Sequence, residues 1–447
     1  MIGTAALLLM MVLVVISFNS SSSEIGIERK LPDNSTLLLK QVEFTAGSFT
    51  YTHHSSGRTP IQRVLAKLKS LLPERLQQWN DMGSFGMGAR EETNLYVVTV
   101  NQAPNNGQWS SQVGRLQIGD EQGDWYDACW GANTLGFMGE TAHGWCPQAF
   151  PRRGKNLTLR LLGFGKGGVW TNYAEFKIPN PAFDTFTQWT AEPWPATKTN
   201  GPLAITLTNF ESGGKMKGAR GSGDVDIAAR STRWDFNFAE DGTPTTNWRV
   251  QKLTIRDATG NKWSPYLNLS ATDFTWAKGG HVEMFGALWP GEDAWKLDVE
   301  AVRTRGFKDD ETWTTEVALP APGTVDAHTN SWTRDDVTVK LASLASPNTD
   351  HPGNMKWIAK WWGEKKNETY SLCLAVNPNL QGHRVMLLEA KDQDAHKIKI
   401  VQHGGQDNSL QSVFFRPDKD AKTVRFTFAL PRSRTVQFLA KPRQIAR

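Results

Sequence analysis

The chain has few cysteines, because its 447 residues contain only Cys129, Cys146 and Cys373. A chain of this length buries enough apolar surface to fold without disulfide staples, which excludes a small disulfide-stabilised scaffold. Cys129 and Cys146 are close in sequence, and each stands beside a tryptophan. In an oxidising compartment they can join adjacent strands as a disulfide; the alternative is a pair of buried free thiols. Cys373 alternates with apolar neighbours and is expected in a core.

Charge is also scarce and evenly mixed. Charged residues make up 21% of the chain, with 50 basic and 45 acidic side chains. No block of lysine and arginine stands out, so we predict no nucleic-acid partner. The sequence also lacks paired-cysteine and paired-histidine zinc motifs, glycine-rich nucleotide motifs and a Gly-x-Ser-x-Gly elbow. We therefore predict no catalytic, cofactor-binding or metal-ligating residues and no cofactor.

A long apolar run occurs at the N-terminus, where every residue from Ala5 to Ile16 is apolar. This run is shorter than the ~20 residues of a membrane span and fits the ~7 to 15 of a signal-peptide core. No basic residue precedes it and no Ala-x-Ala site follows it, so an uncleaved anchor and a mis-assigned start remain alternatives. We predict that residues 1–24 are a signal peptide or membrane anchor and provide any membrane contact. The folded part is then extracytoplasmic, in a secreted, periplasmic or cell-surface protein.

Tryptophan, glycine and proline are abundant, at 19, 39 and 22 residues. Many short strands joined by frequent turns fit this composition better than helices do, so we predict an all-β protein. One amphipathic helix pattern stands out, with Thr59 as N-cap and Pro60 at the first helical position. We expect this helix to pack on the first domain; the alternative is a helix that lies on a membrane surface.

An aromatic-proline corner followed by an alternating strand occurs three times at a nearly constant, domain-length spacing. After each corner a second alternating run follows and ends at a proline. The second repeat holds six or seven strand-like runs, the number in an immunoglobulin-like or fibronectin-like β-sandwich. We predict three tandem sandwiches of this kind. The corners are Phe150-Pro151, Trp289-Pro290 and Phe415-Arg416-Pro417.

These landmarks divide the chain into an N-terminal part and three domains. The division is 1–24 as leader, 25–94 as an extended segment with the short helix, 95–181 as the first sandwich, 198–321 as the second and 325–447 as the third.

Two repeats share the pattern Leu-x-Ile-x-Asp-x-x-Gly-Asp/Asn, with Asp120 and Gly123 in one and Asp257 and Gly260 in the other. A strand that ends in Asp-x-x-Gly predicts a hairpin turn, because Asp accepts backbone N–H bonds and Gly takes the positive φ. The third repeat offers only 387–392 and is expected to lack this turn.

The tryptophans are the remaining clue to function. Most are expected to fill cores, but adjacent strand residues face opposite sides, so one of Trp361 and Trp362 must point outward. We predict a surface contact there, for a carbohydrate or protein ligand. The sequence favours a non-catalytic binding or scaffolding protein of the cell surface or envelope. The alternative is a secreted carbohydrate-active hydrolase with acidic residues on sandwich loops.

Overall fold

The structure is a computed structural model. It describes residues 25–31, 34–47, 49–53, 83–87, 93–102, 113–130, 133–137, 140–147, 149–164, 170–215, 230–264, 280–285, 288–347, 349, 368–377, 385–405 and 410–445.

Within these residues the regular structure consists of β-strands and one 3-10 turn at Asp309–Glu311. The predicted all-β class is therefore confirmed. The described part contains no helix that is long and apolar enough to cross a membrane. The leader at 1–24 and the helix that begins at Thr59 lie outside the described residues.

The first unit packs a five-stranded sheet against a four-stranded sheet. Its strands are β1 (Ile27–Lys30), β2 (Thr36–Ala46), β3 (Phe49–His53), β4 (Gly83–Met87), β5 (Thr93–Gln102), β6 (Val113–Gly119), β7 (Trp125–Trp130), β8 (Asn133–Phe137), β9 (Glu140–Trp145), β10 (Asn156–Phe164) and β11 (Trp170–Pro179). The sheet orders are β1-β2-β5-β9-β8 and β11-β10-β6-β7, while β3 and β4 form a separate two-stranded sheet, and all the pairings are antiparallel. Alternate residues of the two sheets meet in one core, as for Val97 of β5 and Leu159 of β10.

Strands β1 and β2 belong to this unit, although residues 25–94 were expected to lie outside the first sandwich. Leu37, Leu39 and Val42 of β2 are buried in its core. The register of β2 against β5 shifts between Leu39 and Gln41. This bulge interrupts the apolar alternation, so the sequence does not read as a regular strand.

The second unit packs a six-stranded sheet against a four-stranded sheet. Its strands are β12 (Ala196–Asn200), β13 (Leu203–Lys215), β14 (Arg230–Glu240), β15 (Thr243–Thr245), β16 (Trp248–Arg256), β17 (Lys262–Trp263), β18 (Gly280–Phe285) and β19 (Trp295–Arg303).

The third unit packs a three-stranded sheet against a six-stranded sheet. Its strands are β20 (Thr312–Ala318), β21 (Val325–Ala327), β22 (Ser331–Arg334), β23 (Val337–Ala345), β24 (Tyr370–Asn377), β25 (Met386–Asp392), β26 (Lys399–Gly405), β27 (Leu410–Arg416) and β28 (Thr423–Ala429), and the chain then ends with β29 (Arg434–Ala440) and β30 (Arg443–Gln444). Cys373, on β24, is buried as expected.

The last two strands return to the second unit. Strand β29 pairs with β19 and completes the sheet β17-β16-β19-β29, and β30 pairs with β13. Conversely, β20 pairs with β28 in the sheet β20-β28-β25 of the third unit. The expected boundaries 198–321 and 325–447 do not follow this pairing. Both strands alternate apolar residues with the same period, so sequence order alone does not tell which sheet each one completes.

The three corners lie where the sequence predicts them. Pro151, Pro290 and Pro417 each stand a few residues before a strand, namely β10, β19 and β28. Their aromatic partners Phe150, Trp289 and Phe415 are 1%, 5% and 0% exposed. The three rings belong to three different cores. The corners are therefore packing elements of a repeated architecture.

Candidate functional site: the buried junctions between the units

A turn with the same geometry ends β6, β16 and β25 and is here called the Asp turn. In the second Asp turn (Asp257–Asn261), Oδ1 of Asp257 accepts hydrogen bonds from the backbone N–H groups of Thr259 and Asn261, both at 3.0 Å. Gly260 has a φ of +94° and donates its N–H to the carbonyl of Asp257 at 3.4 Å. The first Asp turn (Asp120–Asp124) has the same bonds, and Gly123 has a φ of +81°. Both predicted turns are confirmed.

The third repeat also has this turn, contrary to the expectation from sequence. In the third Asp turn (Asp392–His396), Oδ1 of Asp392 accepts N–H bonds from Asp394 at 2.9 Å and His396 at 2.8 Å. Ala395 takes the glycine position with a φ of +65°. Alanine can occupy the left-handed position at a cost of about 1 to 2 kcal/mol. A sequence search that requires glycine there therefore misses this turn.

The second Asp turn is buried against the first corner and joins the first two units. Nδ2 of Asn261 donates to the carbonyl of Phe150 at 2.8 Å, and Nη1 of Arg152 donates to the carbonyl of Thr259 at 3.1 Å. The Arg152 guanidinium also lies 4.8 Å from the ring centre of Phe44. Burial lowers the pKa of Arg152, and the charge of Asp257 acts in the opposite direction. The contact is thus polar, buried and hydrogen-bonded.

An ion pair reinforces this junction. Nε of Arg153 lies 2.6 Å from Oε1 of Glu292, whose side chain is 1% exposed. Arg153 also donates to the carbonyls of Phe186 and Thr187 in the connector between the units, at 2.9 Å each. Burial and the negative charge of Asp257 raise the pKa of Glu292, while Arg153 opposes the shift. Loss of one partner from such a buried pair costs about 3 to 5 kcal/mol.

The junction has a second contact in which the two units exchange roles. Tyr126, just after the first Asp turn, packs edge-on against Trp289 of the second corner, with ring centres 5.7 Å apart. The Tyr126 hydroxyl is held by Oδ2 of Asp120 at 2.9 Å. Each unit therefore contributes its corner and the neighbourhood of its Asp turn, with polar bonds in one contact and ring packing in the other.

A charged cluster lies where the chain crosses between the second and third units. Arg303 forms ion pairs with Glu240 and with Glu311, the latter at 3.3 Å. Arg334 lies 3.6 Å from Glu311 and donates to the carbonyl of Leu430 at 2.6 Å. Burial raises the pKa of Glu240, but hydrogen bonds from Arg303 and Trp248 and nearby positive charges outweigh it, so this pKa lies below its usual value.

The third Asp turn is the one group in the described part of the chain whose three potential metal ligands come within 4.8 Å of one another. These ligands are Asp392, Asp394 and His396. The carboxylate of Asp392 is already used by the turn's own N–H bonds and lies 3.2 Å from Nδ1 of His396. The arrangement is therefore explained by the turn, as in the other two units.

The residues predicted to form a surface contact, Trp361 and Trp362, lie outside the described residues. Cys129 lies on β7 of the four-stranded sheet, whereas Cys146 follows β9 of the five-stranded sheet. The sequence analysis placed the two cysteines on adjacent strands, but the structure places them on different sheets. The disulfide itself stays a prediction.

The junction residues were missed as functional candidates because their partners are far apart in sequence. The recurrence of Asp turns and corners was the available signal, but it does not say which turn meets which corner. No protein-family model matches this chain, and no curated protein sequence matches it either.

Proposed function

We propose that this chain is a non-catalytic binding or scaffolding protein of the cell surface or envelope, built from three tandem immunoglobulin-like domains. The observation that carries the proposal is the buried polar junction between the first two units. Domains joined by a linker move relative to each other by default, unless their interface is extensive. Buried hydrogen bonds at Asn261 and Arg152, together with the pair Arg153–Glu292, favour a fixed arrangement.

The connector between the first two units supports the same interpretation. Besides its bonds to Arg153, it donates from Gln188 to the carbonyl of Gly291 at 3.3 Å and from the N–H of Glu192 to the carbonyl of Leu439 at 2.7 Å. It therefore contacts the second corner and the C-terminal strand as well as the first unit. A connector held in this way suits a protein that presents binding surfaces at a fixed spacing.

The immunoglobulin-like assignment rests on strand number and layering. Each unit has two sheets on a shared core, and the residues facing the core alternate along the strands. The extracytoplasmic location rests on the apolar run at residues 1–24. A reporter enzyme active only outside the cytoplasm, fused after residue 24, tests this location. An inactive fusion would contradict it.

The ligand of the proposed module is a carbohydrate or a protein, and the pair Trp361-Trp362 is its expected contact. We propose to screen purified residues 25–447 on a glycan array and against extracted envelope proteins. Trp361→Ala and Trp362→Ala form a matched pair, because the strand predicted there from the sequence would turn one ring inward and the other outward. One variant should lose binding with unchanged melting, and the other should lose stability.

The enzyme alternative is tested with the same purified protein, by assaying the screened carbohydrates for hydrolysis. Hydrolysis of a polysaccharide by residues 25–447 would contradict the non-catalytic proposal. Binding without turnover supports it. If both tryptophan variants bind as the wild type does, the ligand contact lies elsewhere and this part of the proposal is wrong.

A further inference from the structure

The strand pairing of the second and third units differs from that of the first unit in one respect. In the first unit, β10 pairs with the strand that follows it, so that Leu159 faces Phe176. In the second unit the equivalent residue, Leu297, faces Phe438 of β29. In the third unit Phe426 faces Thr315 of β20. In the first unit this position in the sheet is filled by the next strand of the chain. In the second and third units it is filled by a strand from the neighbouring unit.

We propose that β20 and β29 are exchanged strands that make the second and third units one obligate folding block. The edge of β19 is then a strand-binding groove whose ligand is the C-terminal segment of this chain. The exchanged strands form the same antiparallel pairing that β11 forms with β10 in the first unit. The exchange therefore costs neither the second nor the third unit its sheet hydrogen bonds.

Strand β29 is a complete part of the second unit's core. Val436, Phe438 and Ala440 face inward and are 6%, 0% and 2% exposed. The ring of Phe438 lies 6.1 Å from that of Phe236 on the opposite sheet. Outside the core, Nδ2 of Asn200 donates to the carbonyl of Thr435 at 2.9 Å. Without β29, the second unit would expose this apolar surface and the unpaired edge of β19.

Strand β20 is equally integrated in the third unit. Trp313 packs against Phe428 at 5.7 Å and stacks on Trp332 at 6.1 Å between ring centres. Nδ2 of Asn330 donates to Oγ1 of Thr315 at 2.8 Å. The third unit therefore depends on a strand that leaves the second unit, just as the second depends on one that leaves the third.

The side chains specify the exchanged pairing over the unexchanged one. In the unexchanged arrangement, Phe438 would take the place of Thr315, and the smaller Val436 would take the place of Trp313. The unexchanged arrangement would lose the stacking of Trp313 and leave a cavity there, which lowers stability. It would also place a phenylalanine in a site that threonine fills, and this overpacking lowers stability further.

The crossing connectors are also fixed in the exchanged form. The N–H of Leu430 donates to the carbonyl of Glu311 at 2.9 Å, and Arg334 contacts both connectors. The first bond joins the connector before β20 directly to the connector before β29, and Arg334 at the end of β22 bridges the same two connectors. From this point β20 continues along β28, whereas β29 continues along β19.

The first test measures the cooperativity of the block in the full chain by hydrogen exchange and mass spectrometry. Phe426→Ala weakens the third unit; if the units are one block, exchange in β16 and β19 should accelerate with that in β24 and β28, on the order of 100-fold. The matched control, Leu159→Ala at the equivalent position of the first unit, should accelerate β10 and leave β19 unchanged. If β16 and β19 of the Phe426→Ala variant exchange at the wild-type rate, the proposal is wrong.

The second test keeps the fold intact. A protease site is inserted in the full chain between Leu430 and Arg434, and the folded protein is cut there. The released segment should stay bound through gel filtration, and a labelled peptide of residues 434–447 should replace it after a cycle of denaturation and refolding. Phe438→Asp in that peptide should abolish replacement. Leu439→Asp, on the outward side of the strand opposite Lys296, should reduce it only slightly.

Separation of the cut segment without a change in the melting of the second unit would refute the exchange. So would equal replacement by the Phe438→Asp and Leu439→Asp peptides. Neither outcome depends on the ligand of the proposed binding function, so the two proposals fail independently.

Discussion

The buried imidazole of His143 should make the stability of the first unit fall in mild acid. His143 is 8% exposed, and its ring lies 6.0 Å from that of Trp145 in a nearly parallel stack. Burial lowers the pKa of His143 to about 4 from the usual 6.5. The unfolded chain therefore binds a proton between pH 6.5 and 4 while the folded chain does not, so the free energy of unfolding decreases as pH falls through this window.

The magnitude follows from the two pKa values. At pH 5 the linkage amounts to about 2 kcal/mol relative to pH 8, and it approaches a limit of about 3 kcal/mol below pH 4. This is a large fraction of the ~5 to 15 kcal/mol that stabilise a domain. The stabilising contribution is fully present above pH 6.5.

Two measurements test this effect: denaturant unfolding at pH 8, 6 and 5, and hydrogen exchange in β5 and β9 at the same pH values. His143→Phe is the matched control, because it keeps an aromatic ring beside Trp145 and cannot titrate. The wild type should lose about 2 kcal/mol more than His143→Phe between pH 8 and pH 5. Equal losses in the two proteins would show that His143 does not carry the effect and would refute the argument from burial.

Four further substitutions test the turns, the corners and the junction by thermal melting. Gly260→Val forces a β-branched residue to a φ of +94° and should destabilise the second unit by about 1 kcal/mol or more, whereas Ala395→Gly should stabilise the third by up to about 1 kcal/mol; unchanged melting would contradict the turn geometry. Trp289→Ala should cost about 3 to 5 kcal/mol, and a variant that melts normally but loses ligand binding would make Trp289 a recognition residue. Glu292→Ala, which removes the carboxylate partner of Arg153, should cost about 3 kcal/mol and broaden the distribution of interunit distances in X-ray scattering. An unchanged scattering curve would contradict the rigid junction.

Local features were predictable from sequence because they depend on neighbours along the chain. The turn at Asp257 and Gly260 follows from one acceptor side chain and one permissive backbone position. The burial of Trp289 follows from its place before an alternating strand.

Partner choice was not predictable in this way. Phe438 and Thr315 lie on strands of the same period, and the sequence does not show that each serves the other unit. The third Asp turn was missed because Ala395 stands where glycine was required. The junction pair Arg153–Glu292 joins residues from different repeats, and neither residue belongs to a recognisable motif.

The return of β29 to the second unit has a consequence for synthesis on the ribosome. Translation proceeds from the N-terminus, and domains generally fold as they emerge. The first unit can close early, since β11 follows β10 directly. The second unit cannot close until Ala440 has left the ribosomal tunnel, so the edge of β19 stays open while the whole third unit is made. During that interval the nascent chain presents an unpaired strand edge, and slowing translation over 304–433 should lengthen its exposure and lower the yield of soluble protein.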